Sequence, residues 1–263
     1  MTGYASAQSR GGAVDVLCMD ARDGAVREPD AFPVVSAPDA AWPLGGRRRD
    51  RAEWQGVLED AARLLRRIAR TLAAARPTSP STLDRVLDRL HEARPSLLAH
   101  ARRVSCYAAV TAREMQLPRL ARLQIERAAL VHDLGKLALP DALRTAGGPF
   151  TTEELMLVRS HSTIGAELVH GVPYLRLTAP LVLHAHERFG GGGHPAGIAG
   201  EAIPLGSRVI AVADAWDAFA GAPDERDDRA RGCANVELMR HAGPHFDPAV
   251  VRAWMRASET AGR

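Results

Sequence analysis

From Ser81 onward, proline and glycine cut the chain into stretches whose apolar residues recur at spacings of three and four, and strand-like alternation is nearly absent. The breaks fall at Pro95, Pro118, Pro140, Gly147 to Pro149, Gly171 to Pro173, Gly190 to Gly193, Pro204 and Pro244. Spacings of three and four put apolar side chains on one face of a helix, whereas a half-buried strand needs alternation. The pattern therefore predicts an all-α fold, a helical bundle with functional segments carried on its loops, and excludes a parallel-sheet nucleotide fold or a barrel. Thr151 followed by Glu154 forms a capping box for a helix running toward Val169. No internal repeat and no P-loop is present.

Three divisions follow. Residues 1–47 are rich in Gly, Ala, Pro and Asp and read as a poorly ordered tail. Residues 48–80 hold an amphipathic helix and a linker: Trp54, Leu58, Ala61, Leu65, Ile68 and Leu72 form a short heptad seam that either pairs with a second copy in a dimer or lies on the main core, before Pro77 and Pro80 break it. Residues 81–263 form the helical domain. A chain of 263 residues with 46% hydrophobic composition is long enough for one substantial core and a small appendage.

Charge excludes some partners. The net charge is +3, but acids and bases alternate along the chain, so the basic excess does not point to DNA. Cys18, Cys106 and Cys233 have no metal-binding or disulfide spacing, and no stretch has the length and apolarity of a membrane span or a leader. The expectation is a cytoplasmic protein that is not embedded in a membrane.

Chemistry concentrates around one residue. Lys136 is the only lysine among 34 basic residues, and it stands in the string His132-Asp133-Leu134-Gly135-Lys136. Arginine replaces lysine freely on a solvated surface, but not where a compact ammonium must fit beside a metal or a phosphate. His100, His132, Asp133 and Asp214 each sit in a helical pattern among apolar neighbours. Asp214 interrupts the run from Val209 to Trp216, and a carboxylate in such surroundings needs a cation, either an arginine or a metal shared with imidazoles. His161 continues the stripe of Leu157, Ile164 and Leu168, so it faces the core. His184 and His186 are two apart on an expected helix, so at most one of them points at a common metal.

These residues, together with the strings HDLGKLALPD, HSTIGAELV, HAHERFGGGGHPAGIAGEAIPLGSRVIAVADAWDAF and HFDPAVV, resemble the HD superfamily of metal-dependent phosphohydrolases, and within it the HD-GYP group. The resemblance runs from about Ser96 to the C-terminus. It implies that His100, His132, Asp133 and Asp214 hold one metal and that Asp133 bridges to a second, for which His161 and His186 match two ligands. It also implies that Lys136 approaches a substrate phosphate and that the metals are divalent, iron or manganese. The implied reaction is hydrolysis of a cyclic dinucleotide, cyclic di-GMP, or of another nucleotide phosphoester by a metal-activated water, with Asp133 and Lys136 as the catalytic groups. A signalling role with a protein partner comes with the family.

The departures are specific. Ala185 stands where the family has the first of two histidines before glutamate, which weakens the second site. The family's Asp-Gly-x-Gly-Tyr-Pro reads Gly190-Gly191-Gly192-Gly193-His194-Pro195, losing a carboxylate and a tyrosine, and its polyglycine run is expected to be mobile. The usual basic segment reads Ala222-Pro223-Asp224-Glu225-Arg226. Alongside the phosphodiesterase, two alternatives stand: a noncatalytic signalling module, and a one-metal phosphohydrolase acting on a different nucleotide ester. His241 and His245 read as surface or packing histidines.

Overall fold

The computed structural model describes residues 81–139, 143, 150–221 and 226–261; the tail over 1–47, the Trp54 to Leu72 seam and the acidic segment at 222–225 lie outside them. The described residues are helical: α1 (Ser81–Ala93), α2 (Pro95–Glu114), α3 (Arg119–Val131), α4 (Thr152–Arg159), α5 (His161–His170), α6 (Ala179–Leu183), α7 (Leu205–Phe219), α8 (Asp228–Arg240) and α9 (Pro248–Ala261). Short 3-10 turns lie at Leu134–Ala138, Arg176–Thr178 and Gly200–Ala202. Among the described residues extended pairing is limited to one isolated bridge, between Ala242 and Phe246. The all-α reading holds.

Helix α2 is the main support of the bundle. Pro95 opens it, where the ring's fixed φ suits the first turn and the missing N–H is no loss. Leu98, Ala101, Val104, Ala108 and Ala112 then recur at three and four and are buried. Most of them are small, and so are Ala128 and Ala129 on α3, which let the two helices come close. Helix α7 crosses the same side of α2 and is buried on almost every face, from Gly206 through Val209, Ile210, Val212 and Ala213 to Trp216. A helix apolar all round belongs at the centre of a core. Each fully buried Val or Leu here contributes about 1.5–3 kcal/mol. The far side is closed by Tyr107, Trp216 and Trp254, whose rings meet within 5.5 Å, while both indole N–H groups donate to Asn235 Oδ1 at 2.9 and 3.3 Å.

Three expected helical stretches differ in the structure. The capping box at Thr151 and Glu154 is present, with both reciprocal bonds made, but the helix it starts ends at Arg159 and a second begins at His161. Ser160 marks the break, its hydroxyl donating back to Leu157 O at 2.6 Å instead of leaving the backbone undisturbed. His132 and Asp133 are not within a helix: His132 caps the end of α3 and Asp133 precedes the 3-10 turn. His184 to His186 form a turn after α6, so helical geometry does not govern that pair. Cys106 is buried and Cys233 is exposed, and neither forms a disulfide among the described residues. No described helix is long and apolar enough to cross a membrane.

One close approach fixes the junction. A Cβ on Gly135 would lie 2.0 Å from His161 O and 2.7 Å from Gly165 N, so only glycine lets the 3-10 turn rest backbone to backbone on α5.

Candidate metal centre

Two groups of donor atoms face each other across Asp133. The first gathers His100 from α2, His132 from the end of α3 and Asp214 from α7; the second gathers Asp133, His161 from the first turn of α5 and His186 from the turn after α6. Within each group the donor atoms all lie within 4.8 Å of one another. His100 Nε2 is 3.1 Å from Asp214 Oδ1 and 3.6 Å from Asp133 Oδ2, and His132 Nε2 is 3.7 and 3.4 Å from the same two oxygens. Asp133 Oδ1 turns the other way, 3.5 Å from His161 Nε2 and 3.6 Å from His186 Nε2. The structure thus brings all six candidate residues, His100, His132, Asp133, His161, His186 and Asp214, into these two groups, and the two oxygens of one carboxylate divide between them.

These donors fit a divalent cation. Ligand bonds of ~2.0–2.2 Å put neighbouring donors about 3–3.5 Å apart around one ion, close to the spacings here. His132 Nε2 and Asp133 Oδ1 are buried and lack a hydrogen-bond partner among the described residues. Leaving such an atom unpaired costs ~1–3 kcal/mol, which a metal bond removes. Imidazole and carboxylate together suit a first-row divalent metal.

A second layer orients the rings. The Nδ1 atoms of His132 and His161 bond to Ala129 O and Val158 O, each at 2.7 Å, which leaves both Nε2 atoms facing the groups. His100 Nδ1 instead meets Asp217 Oδ2 at 2.8 Å. Asp217 is itself held by Arg103 through two bonds of 2.8 and 2.9 Å, and by Arg226 at 2.8 Å. Burial drives the Asp217 carboxyl up, but hydrogen bonds from His100 and Arg103 outweigh it and hold the group well below the usual carboxylate range. Burial likewise lowers His100, yet bonds to Asp214 and Asp217 prevail and raise it to about 9. Burial opposes ionisation of Asp133 too; His132, Lys136 and the two imidazoles beside it overcome that and keep it ionised.

Sequence reasoning passed over Asp217, Arg103 and Arg226. A signal existed: Asp217 follows Asp214 by three and Arg103 follows His100 by three, so each pair shares a helix face. Arg226 is the one described cation of the altered basic segment, and its guanidinium is committed to Tyr107 Oη, Asp217 and Gly221 O. Lys136 Nζ lies 2.5 Å from Asp133 Oδ2 at the edge of the groups.

The glycine loop is anchored at its two ends, while a Cβ on Gly192 between them would meet nothing within 4 Å. Gly193 presses on the chain before it, where a Cβ would sit 2.3 Å from Arg188 N. Buried Glu187 accepts from Ala196 N at 2.7 Å and Gly197 N at 3.1 Å, and Gly190 N donates to Pro244 O at 3.0 Å. His194, on this loop, stacks on His186 at 5.3 Å between ring centres. Burial first, then His186, His161, Arg159 and Arg188, lower it to about 3 and keep the ring neutral. His184 lies outside both groups, with Nδ1 3.6 Å from Glu187 Oε1. His241 and His245 stack on each other at 4.9 Å and join neither group.

Comparison with known proteins matches residues 85–250 to the family model described as HD domain. The cyclic di-GMP phosphodiesterase response regulator RpfG of Xanthomonas campestris pv. campestris is 32% identical over 208 residues, covering 78% of this chain and 55% of its own. A cyclic di-GMP phosphodiesterase of Thermotoga maritima is 31% identical over 159 residues, 60% of this chain and 43% of its own. The chain therefore spans about half the length of these curated relatives. A solved structure of an HDG"Y"P protein from Bdellovibrio bacteriovorus superposes with a TM-score of 0.53 at 16% identity, over 80% of this chain and 75% of that one, a likeness of fold.

Proposed function

The chain belongs to the HD-domain family, and from that premise we propose that it is a metal-dependent phosphodiesterase of the HD-GYP type acting on a cyclic dinucleotide, cyclic di-GMP being the first candidate. The observation that carries this reading is the divided carboxylate of Asp133, one oxygen toward His100 and His132 and the other toward His161 and His186. His100, His132, Asp133 and Asp214 would hold the first cation, and Asp133, His161 and His186 the second, with iron or manganese the metals that the family resemblance implies. Bound there, paired divalent cations supply acidification of a water and polarisation of a phosphoryl oxygen.

The protein's own groups do the rest. Asp217 keeps His100 in the tautomer whose Nε2 faces the site, and Arg103 and Arg226 keep Asp217 charged. Lys136 presents a compact cation beside Asp133, placed to steady a phosphate oxygen as charge develops. The known names of relatives that act on cyclic di-GMP support the substrate class. The remaining parts of the proposal are a cytoplasmic setting, a signalling partner, and a division into the 1–47 tail, the 48–80 helix and the catalytic domain.

A second reading, a noncatalytic binding module, is favoured by Ala185 and by Gly190 in place of the loop carboxylate. Metal analysis of the purified chain after anaerobic iron or manganese loading, paired with a cyclic di-GMP hydrolysis assay, separates the two. Bound metal with release of linear dinucleotide or GMP is expected. Bound metal without turnover on any cyclic dinucleotide would favour the module, and a chain that takes up no metal would sink the enzyme reading.

A further inference from the structure

Among the described residues the second donor group offers one carboxylate oxygen and two imidazoles, against four to six donors for a first-row divalent ion. The residue that stands nearest to filling it is His194. Its ring stacks on His186 at 5.3 Å with 20° between planes, and meets His161 edge-on at 5.9 Å. The ring pairs that already share a donor group, His161 with His186 and His100 with His132, are 4.7 and 5.5 Å apart. His194 thus stands beside both rings of the second group.

Its backbone is held where it must be. His194 N donates to His186 O at 3.3 Å, Glu187 takes the amides of Ala196 and Gly197 just beyond, and Gly193 is wedged against Glu187 and Arg188 just before. The side chain is less committed. Its Nδ1 has a long contact, 3.4 Å, with Ser162 Oγ, and His194 lies outside the group whose donors are within 4.8 Å. Closing that gap falls to the two side-chain torsions, because the backbone on either side is fixed.

We propose that His194 is a protein ligand of the second metal, taking over from the histidine that position 185 no longer supplies. This rests on the metal-centre reading given above and deepens it: the changes at 185 and 194 become one exchange, in which the ligand moves from the turn after α6 to the far end of the glycine loop. Arginine at 194 could not serve the same purpose, having no lone pair to offer; a carboxylate could.

The test uses the full chain, stripped with chelator and titrated with manganese(II) alone, reading free and bound ion by electron paramagnetic resonance. Two manganese ions per wild-type chain are expected. His194→Ala should keep the first and weaken the second by about tenfold or more, and His194→Asp should restore it, with metal-free thermal melting as the check on folding. If His194→Ala lowers the metal-free melting temperature, rescue of the second ion by His194→Asp decides. Undiminished second-site affinity in His194→Ala would overturn the proposal. A wild-type chain that binds one manganese would overturn it too while leaving the first site standing, and one that binds none would overturn both this and the metal-centre reading.

Discussion

The two donor groups share one carboxylate and are built in opposite ways. Around His100 three layers are in place: ring, Asp217, and two guanidinium groups, one of which continues to the Tyr107 hydroxyl. Around His186 there is a turn, a glycine loop and another imidazole, with His161 Nε2 and His186 Nε2 facing each other at 2.9 Å. The first group stands on α2, α3 and α7 at the centre of the bundle, whereas the second leans on α5 and a turn. A site fixed by core helices and buried ion pairs is preorganised for a cation; one assembled from a turn is tuned by a few local side chains. The difference predicts unequal affinities, with the first site the tighter.

Asp133 is where the comparison can be broken outright. Asp133→Ala removes a donor from both groups, so both metals should be lost or weakened by about 100-fold or more, and hydrolysis with them; retention of two tightly bound ions in elemental analysis would show that the carboxylate does not join the groups. Asp217→Asn keeps the shape but removes the charge, and should weaken the first metal alone by ~10–100-fold, leaving the second unchanged in the same titration.

The same substitution has a pH signature. Asp217 has a depressed pKa in the folded chain, so its contribution to stability is fully present above the ordinary carboxylate value of about 3.9 and is lost as pH falls through the folded value. Metal-free Asp217→Asn should therefore melt below wild type near pH 7, with the gap narrowing in acid. A gap that widened in acid would contradict the pairing with Arg103 and Arg226.

Lys136→Arg should retain both metals and lose about tenfold in turnover, because a guanidinium cannot place one compact charge beside Asp133; full activity would remove the reason given for the single lysine. The smallest effect is expected from Ala185→His. Position 185 is buried in apolar core, so the larger ring should cost roughly 1–3 kcal/mol in thermal stability without tightening the second metal. A stable variant with a tighter second ion would mean that the position still faces the site.

The helices were legible because they depend on spacings within a few residues, whereas the candidate ligand set rested on the strings that resemble the HD superfamily. The three-and-four recurrence in α2 and the apolar run around Asp214 point to helices, and the string from His132 to Lys136 marks the chemistry. What escaped depends on partners far along the chain. Asp217 looks like any acid on a helix until Arg103, 114 positions earlier, is folded against it. Arg226 reads as a leftover of a lost basic segment, and only the fold reveals it as a support for Asp217. The break at Ser160 is decided by a single hydroxyl turning back to its own chain, and the end of α6 at Leu183 by the turn that delivers His186; neither has a periodic signature.

Gly135 carries a consequence for how such a chain can change over generations. Because the turn bearing Asp133 meets α5 main chain to main chain, the separation of the two donor groups is set by the thickness of two peptide backbones and not by any side chain between them. Neighbouring positions can drift among apolar residues and leave that gauge intact. A single added methyl at 135 would jack the groups apart, and no substitution elsewhere could take up the slack without moving a whole helix.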